Sequence, residues 1–321
     1  MTSLKIPAEF HDVWHGRPVS ERHAFHMGLL SVLAEPGDPR IRGSVSRLGA
    51  ETVVSLIVNP GAHSQLQRAE ALGITVEELA QIRERLPMID TVFTQAKRHG
   101  LTLITAAEDR IPAQFAALGD SAPLVFWAKG DLTLLDALRD GITVEGSRAS
   151  SSYGEFVAGA IAEDATRAGR TVVTGGAYGI HAAATRAVLA VGGSPVIFAA
   201  SGLGQAYPIG HQELFDTVAE RGLLLSEMAA GLMASKQRFQ ARSRLLAAAS
   251  AAIVIVEAAS RSRSLQTAHT ARELGRVVAA VPGAVTSAVA SGANRLIADG
   301  GAQLVQGFAD IDALIGTPEK G

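Results

Sequence analysis

Small, hydroxyl-bearing and basic residues recur directly after the apolar runs in the last two thirds of this sequence. They include Gly146, Ser147 and Arg148 after one run and Gly175, Gly176 and Gly179 after the next. Glycine lets a backbone approach an anion closely, and a helix that begins there offers free N–H donors. The guanidinium of Arg148 would add a planar fork of donors for a phosphate. The pattern indicates phosphate binding, but tight strand-to-helix turns also require glycine, so both interpretations stay open here.

A run of positive charge at residues 236 to 244 is the second candidate feature. It holds Lys236, Arg238, Arg242 and Arg244 and no acidic residue. We expect this run at the entrance of an apolar helix over residues 245 to 252, with its charged heads facing solvent. Because a helix dipole disfavours cations at its start, a polyanion opposite the run would explain it; a solvated surface is the alternative. Phe239 is interpreted as a core anchor rather than a platform for stacked bases.

Hydroxyl residues and two more arginines open the next predicted helix, at residues 260 to 267. Arg263 and Ser264 are the candidates for phosphate contact there, because hydroxyl and backbone N–H groups at a helix start suit phosphate oxygens. Ordinary N-capping by Ser262 or Ser264 is the alternative.

The composition excludes several classes of protein. With 321 residues, 47% hydrophobic and 19% charged, the chain is globular, and its net charge of −2 argues against coating nucleic acid by bulk charge. The absence of cysteine excludes disulfides and cysteine-containing metal sites. The nine histidines lack metal-ligand spacing, so neither a metal nor a cofactor is predicted. No signal peptide or membrane-spanning run is recognisable, so a cytoplasmic protein without membrane attachment is expected.

Six short apolar runs alternate with segments long enough for helices, and these elements must position the candidate residues. The runs cover residues 142–144, 171–174, 195–198, 223–225, 253–256 and 277–281. Near-continuous apolar strands between helices are typical of a mostly parallel sheet buried on both faces, the doubly wound, Rossmann-like α/β class. Because ligands bind beyond the carboxyl ends of such strands, we expect the residues that follow each run to meet at one edge.

The chain before this series is predicted to be mainly helical. Apolar residues recur at helical spacing over 25–33 and 45–57, and Thr75 with Glu78 forms the capping box of a helix that runs to about Arg85. Strand-like runs follow at residues 101–104 and 124–127. We therefore expect a smaller helical N-terminal domain over residues 1–98, interpreted as a packing or interaction module, and a Rossmann-like domain over residues 99–321.

The order and spacing of these motifs resemble those of the DNA-processing protein A family (DprA, also called Smf). The resemblance covers about residues 100 to 306. Its motifs are Gly146-Ser147-Arg148, Ser152-Tyr153-Gly154, Thr174 to Ile180, Tyr207-Pro208, Leu225-Ser226-Glu227, Phe239 to Arg244, Val256-Glu257-Ala258, Ser262 to Ala268, Val281-Pro282-Gly283 and Gly292 to Ile297.

The resemblance implies a non-enzymatic protein that binds single-stranded DNA, forms a homodimer, protects incoming strands in natural transformation and recombination, and helps to load the RecA recombinase. Arg148 matches the DNA-contacting arginine of the family's Gly-Ser-Arg motif, and Arg242 and Arg244 match the arginines of its Phe-x-x-Arg-Asn-Arg motif. We expect mainly phosphate contacts with little sequence preference. The candidate DNA-binding residues are Gly146, Ser147, Arg148, Tyr153, Gly175, Gly176, Gly179, Arg238, Arg242, Arg244, Arg263 and Ser264.

Three positions depart from the family's pattern. His181 stands where the family usually has Asp, Ser243 where it has Asn, and Arg263 where it has Gly. A buried Asp that orders the glycine loop would be lost, and Arg263 adds a cation beside the expected DNA path, where it either strengthens or obstructs binding. His181 is interpreted as structural rather than as an acid–base group.

Two other classes of protein stay open. One is an enzyme or sensor for nucleotide-derived small molecules on a related scaffold, such as the cytokinin-activating phosphoribohydrolases, with Glu227 and Glu257 as paired carboxylates. Of the Pro-Gly-Gly-x-Gly-Thr loop of those enzymes, this chain has only Pro282-Gly283-Ala284. Either carboxylate is also a possible ion-pair partner for Arg148. The other class is a scaffold protein with an empty pocket.

Overall fold

The computed structural model describes residues 5–316 apart from 17–19, 60, 62 and 107–109. It divides into two compact units. The first runs to Lys129 and includes Ser201–Gln205 and Ser226–Arg238; the second consists of Gly130–Ala200, Ala206–Leu225 and the chain from Phe239 onward. The domain border between residues 98 and 99 stays a prediction.

The first unit is mainly helical. Its elements are α1 (Phe10–Val13), α2 (Glu21–Leu33), α3 (Pro39–Leu48), α4 (Ala50–Val58), α5 (Gln65–Leu72), α6 (Val76–Arg83), α7 (Ile89–Arg98), 3-10 segments at Leu86–Met88 and Ala113–Ser121, and the strands β1 (Thr102–Thr105) and β2 (Val125–Gly130), which pair antiparallel. The single helical stretch expected over 45–57 is two helices, because Gly49 has a φ of 81° that an α-helix cannot contain. The capping box is confirmed: Thr75 Oγ1 accepts from the Glu78 N–H at 3.1 Å, and Glu78 Oε2 accepts from the Thr75 N–H at 2.8 Å.

Aromatic rings fill the core of this unit. Phe25 lies against Phe10 and Phe93, with ring centroids 5.6 and 5.5 Å away. Trp127 is fully buried, and its indole N–H donates to Ser31 Oγ at 2.9 Å, so the one polar atom of the ring is satisfied.

The second unit alternates strands and helices, as the apolar runs predict. Its strands are β3 (Ile142–Glu145), β4 (Val172–Thr174), β5 (Val196–Phe198), β6 (Leu223–Ser226), β7 (Ala252–Ile255), β8 (Val277–Ala280) and β9 (Gln303–Leu304). Its helices are α8 (Leu134–Ala137), α9 (Ser152–Arg167), α10 (Ile180–Ala190), α11 (Gln212–Arg221), α12 (Lys236–Ala248), α13 (Arg263–Glu273), α14 (Ser291–Ala298) and α15 (Phe308–Ile315), with a 3-10 turn at Ile209–His211.

The strand order β6-β5-β4-β3-β7-β8-β9, with every pair parallel, confirms the doubly wound Rossmann-like class. The chain builds outward from β3 through β4, β5 and β6, then returns to place β7 on the other side of β3. In such sheets the helices that leave two neighbouring strands in opposite directions open a crevice at the strands' carboxyl ends. The switch between β3 and β7 therefore locates the ligand-binding edge.

One expectation about this unit is wrong. The basic run was expected at the entrance of a helix over residues 245 to 252, but α12 begins at Lys236 and contains the whole run. Lys, Gln and Arg are strong helix formers, and neither glycine nor proline interrupts the segment. Arg242 and Arg244 consequently lie within a helix.

No helix in the described ranges combines the length and the apolar character needed to cross a bilayer.

A buried arginine connects the last helix of the second unit to the start of its sheet. The Arg170 side chain is 3% exposed. Its Nε and Nη2 donate to Asp312 Oδ1 at 3.0 and 2.7 Å, and its remaining donors reach the backbone carbonyls of Asp140 and Gly316 at 3.0 and 2.6 Å. One side chain thus satisfies three acceptors from two separate segments, the end of α15 and the residues before β3.

We expect Arg170→Leu to lower the free energy of unfolding by about 2 kcal/mol, because three acceptors lose a charged donor. Arg295→Leu is the matched control: its pair with Asp299 is 76% and 54% exposed, and loss of such a pair costs less than about 0.5 kcal/mol. Urea unfolding of both variants measures the difference. Equal losses would show that the Arg170 cluster contributes nothing beyond a surface pair.

Candidate functional site

A cleft of about 440 Å³ opens at the switch point of the second unit. The residues after β3, the residues after β7 and one face of α12 line it, and Ala177 and His181 close it beside the glycine loop. The expected meeting of strand-end residues at one edge is therefore confirmed for this part of the sheet. Side chains from four segments that are distant in sequence face one space.

The rim of the cleft is positively charged. Arg148 and Arg263 are exposed, and their guanidinium carbons lie 4.4 and 5.9 Å from the centroid of the Phe239 ring. A cation over an aromatic face is held by the ring quadrupole while its N–H donors stay available. No carboxylate of the described residues lies within ion-pair distance of Arg148 or Arg263. The position of Arg263 adds to the positive potential of the rim.

Arg242 lies at the floor, and the expectation that its charged head faces solvent is wrong. The residue is 4% exposed, and its Nη1 donates to the carbonyl of Phe198, at the end of β5, at 2.9 Å. Burial lowers the pKa of Arg242 to about 10; the negative charge of Glu145 opposes this shift, and the cations of the rim add to it. The group is still charged at neutral pH.

Gly175 makes the buried position of Arg242 possible. A Cβ atom at Gly175 would lie 1.6 Å from Arg242 Nη1, so no other residue fits there without moving the guanidinium. Gly179 has a φ of 71° and would place a Cβ 2.3 Å from the Ser147 carbonyl oxygen. Of the two interpretations of the glycines, these contacts support close packing against protein groups.

Glu145, the last residue of β3, is the counter-charge at the floor. Its Oε1 accepts from the Gly146 N–H at 3.0 Å and from the Ser264 hydroxyl at 2.9 Å, and it lies 3.1 Å from His181 Nε2. Burial favours the neutral acid, but the contacts with His181 and Ser264 and the positive charge of Arg242 outweigh burial and lower the pKa of Glu145. The floor therefore contains a carboxylate that is ionised at physiological pH.

Two histidines hold one peptide group of the glycine loop. The Ala177 N–H donates to His181 Nδ1 at 3.3 Å, and the Gly176 carbonyl, from the same peptide group, lies 3.0 Å from His211 Nδ1. Because the carbonyl only accepts and the amide only donates, the proton is on Nδ1 in His211 and on Nε2 in His181. Burial lowers the pKa of His211, which keeps it neutral. These contacts agree with the structural interpretation of His181.

The N-terminus of α9, where a phosphate could also bind, is occupied by the protein's own carboxylate. Glu257 accepts from the Ser151 N–H through Oε2 at 2.9 Å and from the Ser151 hydroxyl through Oε1 at 2.5 Å. A Cβ at Gly154 would lie 2.3 Å from this carboxylate. Ser151 is the N-cap, since its hydroxyl oxygen accepts from the Gly154 N–H at 3.2 Å, and Glu257 holds this residue in place with both of its oxygens engaged. Glu227 belongs to the first unit, where it borders a cavity of about 30 Å³.

The candidate DNA-binding residues divide into two groups. Those that line the cleft are Gly146, Ser147, Arg148, Arg242, Arg263 and Ser264. The others contact protein groups elsewhere. Arg238 donates through Nε and Nη2 to Glu35 at 3.0 Å, and the Tyr153 hydroxyl donates to the Pro282 carbonyl at 3.0 Å. Arg244 Nη1 donates to the Ala241 carbonyl at 2.7 Å, and Gly175, Gly176 and Gly179 form the packed loop.

Sequence reasoning missed Glu145 and His211. The sequence pattern could have identified Glu145, because a carboxylate ends an otherwise apolar strand directly before Gly146. A buried acid at a strand end needs a partner. His211 carried none, since only the folded chain brings it to the glycine loop 35 residues earlier.

These features define an α/β protein with an arginine-rimmed ligand cleft at the switch point of a doubly wound sheet. The chain belongs to the family described as DNA recombination-mediator protein A, whose family model matches residues 102–315. The resemblance found in the motifs is confirmed.

Two relatives place the match in context. The DNA processing protein DprA of Mycobacterium tuberculosis is 42% identical over 229 residues, which are 68% of this chain and 59% of that protein. The chain therefore spans less than two thirds of that relative's length. The DprA of Streptococcus pneumoniae is 32% identical over 232 residues, 72% of this chain and 80% of the relative.

Two solved structures share the fold. The X-ray structure of Streptococcus pneumoniae DprA covers 92% of this chain and 98% of its own, with a TM-score of 0.73 at 24% identity. A Helicobacter pylori DprA structure, described for its single-stranded DNA binding mode, covers 67% of this chain and 95% of its own, with a TM-score of 0.60 at 25% identity.

We expect Gly175→Ala to lower stability by about 2 kcal/mol, because the added methyl group displaces the buried guanidinium of Arg242. Gly159→Ala is the control, since its Cβ would lie 3.7 Å from Ala187 within the helix pair α9 and α10, an ordinary contact; alanine there should be neutral or stabilise by up to about 1 kcal/mol. Thermal unfolding compares them. A Gly175→Ala protein that unfolds at the same temperature as the wild type would contradict the packing role of Gly175.

Proposed function

We propose that this chain is a single-stranded DNA-binding protein that uses the cleft at the switch point as its DNA site. The observation that carries the proposal is the pair of exposed guanidinium groups, Arg148 and Arg263, on the Phe239 ring with no carboxylate partner among the described residues. Cations left unpaired at the mouth of a cleft are suited to an anionic ligand. The single-stranded DNA binding mode described for Helicobacter pylori DprA supports a polynucleotide as that ligand.

The arrangement suits a flexible strand. The cleft volume of about 440 Å³ is that of a small-ligand pocket, so it admits a nucleotide whose base is unpaired. Phosphates would bind Arg148 and Arg263 at the rim, with the hydroxyl of Ser147 and the backbone at Gly146 beside them. Arg242 contributes potential rather than a direct contact, because its head is buried.

We propose that the chain acts by binding and not by turnover. Glu257 holds Ser151 with both oxygens and is not among the residues that line the cleft, so it is not positioned to act there as a general base. Glu145 is ionised and hydrogen-bonded at the floor, where it fixes the positions of its neighbours. This is the reason to rank the phosphoribohydrolase-like alternative below a binding protein.

The wider role follows from family membership. We propose participation in natural transformation and recombination, with homodimer formation and RecA loading, on the strength of relatives named as DNA processing proteins. The helical N-terminal segment over residues 1–98 would serve as a separate packing or interaction domain.

We expect tighter binding to single-stranded oligonucleotides than to duplex of the same length, because the bases of a duplex cannot enter the cleft. Fluorescence anisotropy against increasing salt should give a log–log slope of about −0.7 per phosphate neutralised. Equal affinity for both forms, or no binding at low salt, would contradict the proposed function.

Arg148→Ala should weaken binding to single-stranded DNA by about 1 kcal/mol and flatten the salt slope by about 0.7, since one phosphate contact is lost. Its fold should be unaffected because the side chain is exposed. Arg167→Ala, which removes an equally charged residue at the far end of α9 with 63% side-chain exposure, is the control and should bind like the wild type. An Arg148 variant that binds normally would move the DNA site away from the cleft.

A further inference from the structure

The floor of the cleft contains an acceptor that the fold leaves unused. The contacts of the Glu145 carboxylate with Gly146, Ser264 and His181 all involve Oε1. Oε2 accepts no hydrogen bond from any described residue. The side chain is 8% exposed, and it borders the cleft. A nearly buried carboxylate therefore has one oxygen free at the base of an open site.

A free, charged acceptor is unusual inside a site built for phosphate. Its negative charge repels a phosphate, so phosphates are confined to the rim near Arg148 and Arg263. The floor instead suits a group that donates a hydrogen bond. A ligand that matches both the rim and the floor has phosphates at one end and an N–H donor at the other. A nucleotide with its base directed into the cleft has this arrangement.

Building on the proposed function, we propose that Glu145 reads the base of one nucleotide in the bound strand by accepting a hydrogen bond from an exocyclic amino group. Cytosine, adenine and guanine carry such a group, and a carboxylate that accepts from the cytosine amino group is a known pairing in DNA recognition. Thymine presents two carbonyl oxygens on either side of a single N–H, and these oxygens repel the carboxylate. The cleft should consequently disfavour thymine at this position, which departs from the expectation, drawn from the sequence, of little sequence preference.

The wall beside Glu145 supports an inserted base. Phe239 is only 9% exposed, and the Arg148 guanidinium lies 4.4 Å from its centroid. The planar face of a guanidinium is a recognised stacking surface for unpaired bases. A base in the cleft would stack on Arg148 rather than on the ring itself, with its amino edge towards the floor.

The test compares dC12 with dT12 by anisotropy, in the wild type and in Glu145→Gln. A hydrogen bond to a charged group is worth about 1.5–3 kcal/mol, so we expect the wild type to favour dC12 by about tenfold or more. In Glu145→Gln the ratio should fall to about one, because the new amide N–H donates to thymine oxygens. Glu257→Gln, a buried carboxylate with both oxygens engaged, is the matched control and should keep the wild-type ratio. An unchanged ratio in Glu145→Gln overturns the proposal.

A second experiment changes the ligand and leaves the protein intact, so it decides the matter even if Glu145→Gln is unstable. Replacing cytosine by 2-pyrimidinone removes the amino group alone, and the wild type should then bind the strand no better than dT12. Retained affinity for the 2-pyrimidinone strand overturns the base-reading role. Wild-type protein that binds dC12 and dT12 equally also overturns it while leaving the proposed function standing, whereas no binding to either strand defeats the proposed function itself.

Discussion

The buried charge of Arg242 is the constraint on which the cleft depends. A guanidinium removed from water is tolerated only with hydrogen-bond acceptors and a counter-charge close by. The Phe198 carbonyl supplies the first and Glu145 the second. Gly175 must lack a side chain to admit it. The glycine loop, the end of β5 and the end of β3 thus all supply groups that accommodate a single cation.

The two arginines nearest Phe239 differ in burial, and this difference gives them different roles. Arg148 is exposed at the rim, where its donors face the ligand space, and Arg242 is buried, where its Nη1 donates to the Phe198 carbonyl. The aromatic ring contacts both cations, at 4.4 and 5.8 Å. A low-dielectric wall of this kind strengthens the field that reaches the opening. A buried cation can therefore contribute to ligand recognition through its electrostatic potential, without contacting the ligand.

The sequence was sufficient for the fold and for half of the cleft. Apolar runs with helices between them determine a parallel sheet, and the rule that ligands bind at strand ends located Arg148 and Arg263 at one edge. The sequence could not separate Arg242 from Arg148, because both are arginines beside small residues, and burial depends on how α12 packs against the glycine loop. For the same reason Arg238 was grouped with the DNA-binding arginines although Glu35 holds its guanidinium.

The position of Glu257 at the start of α9 has a consequence for competition among ligands. The first turn of that helix would ordinarily hold the phosphate of a small nucleotide, but here it is filled from within. A free mononucleotide can then engage only the few cations at the rim, while a polymer offers linked phosphates whose second and third contacts form at high effective concentration. The protein thus distinguishes a polynucleotide from free mononucleotides by the number of linked phosphates that it can bind at once.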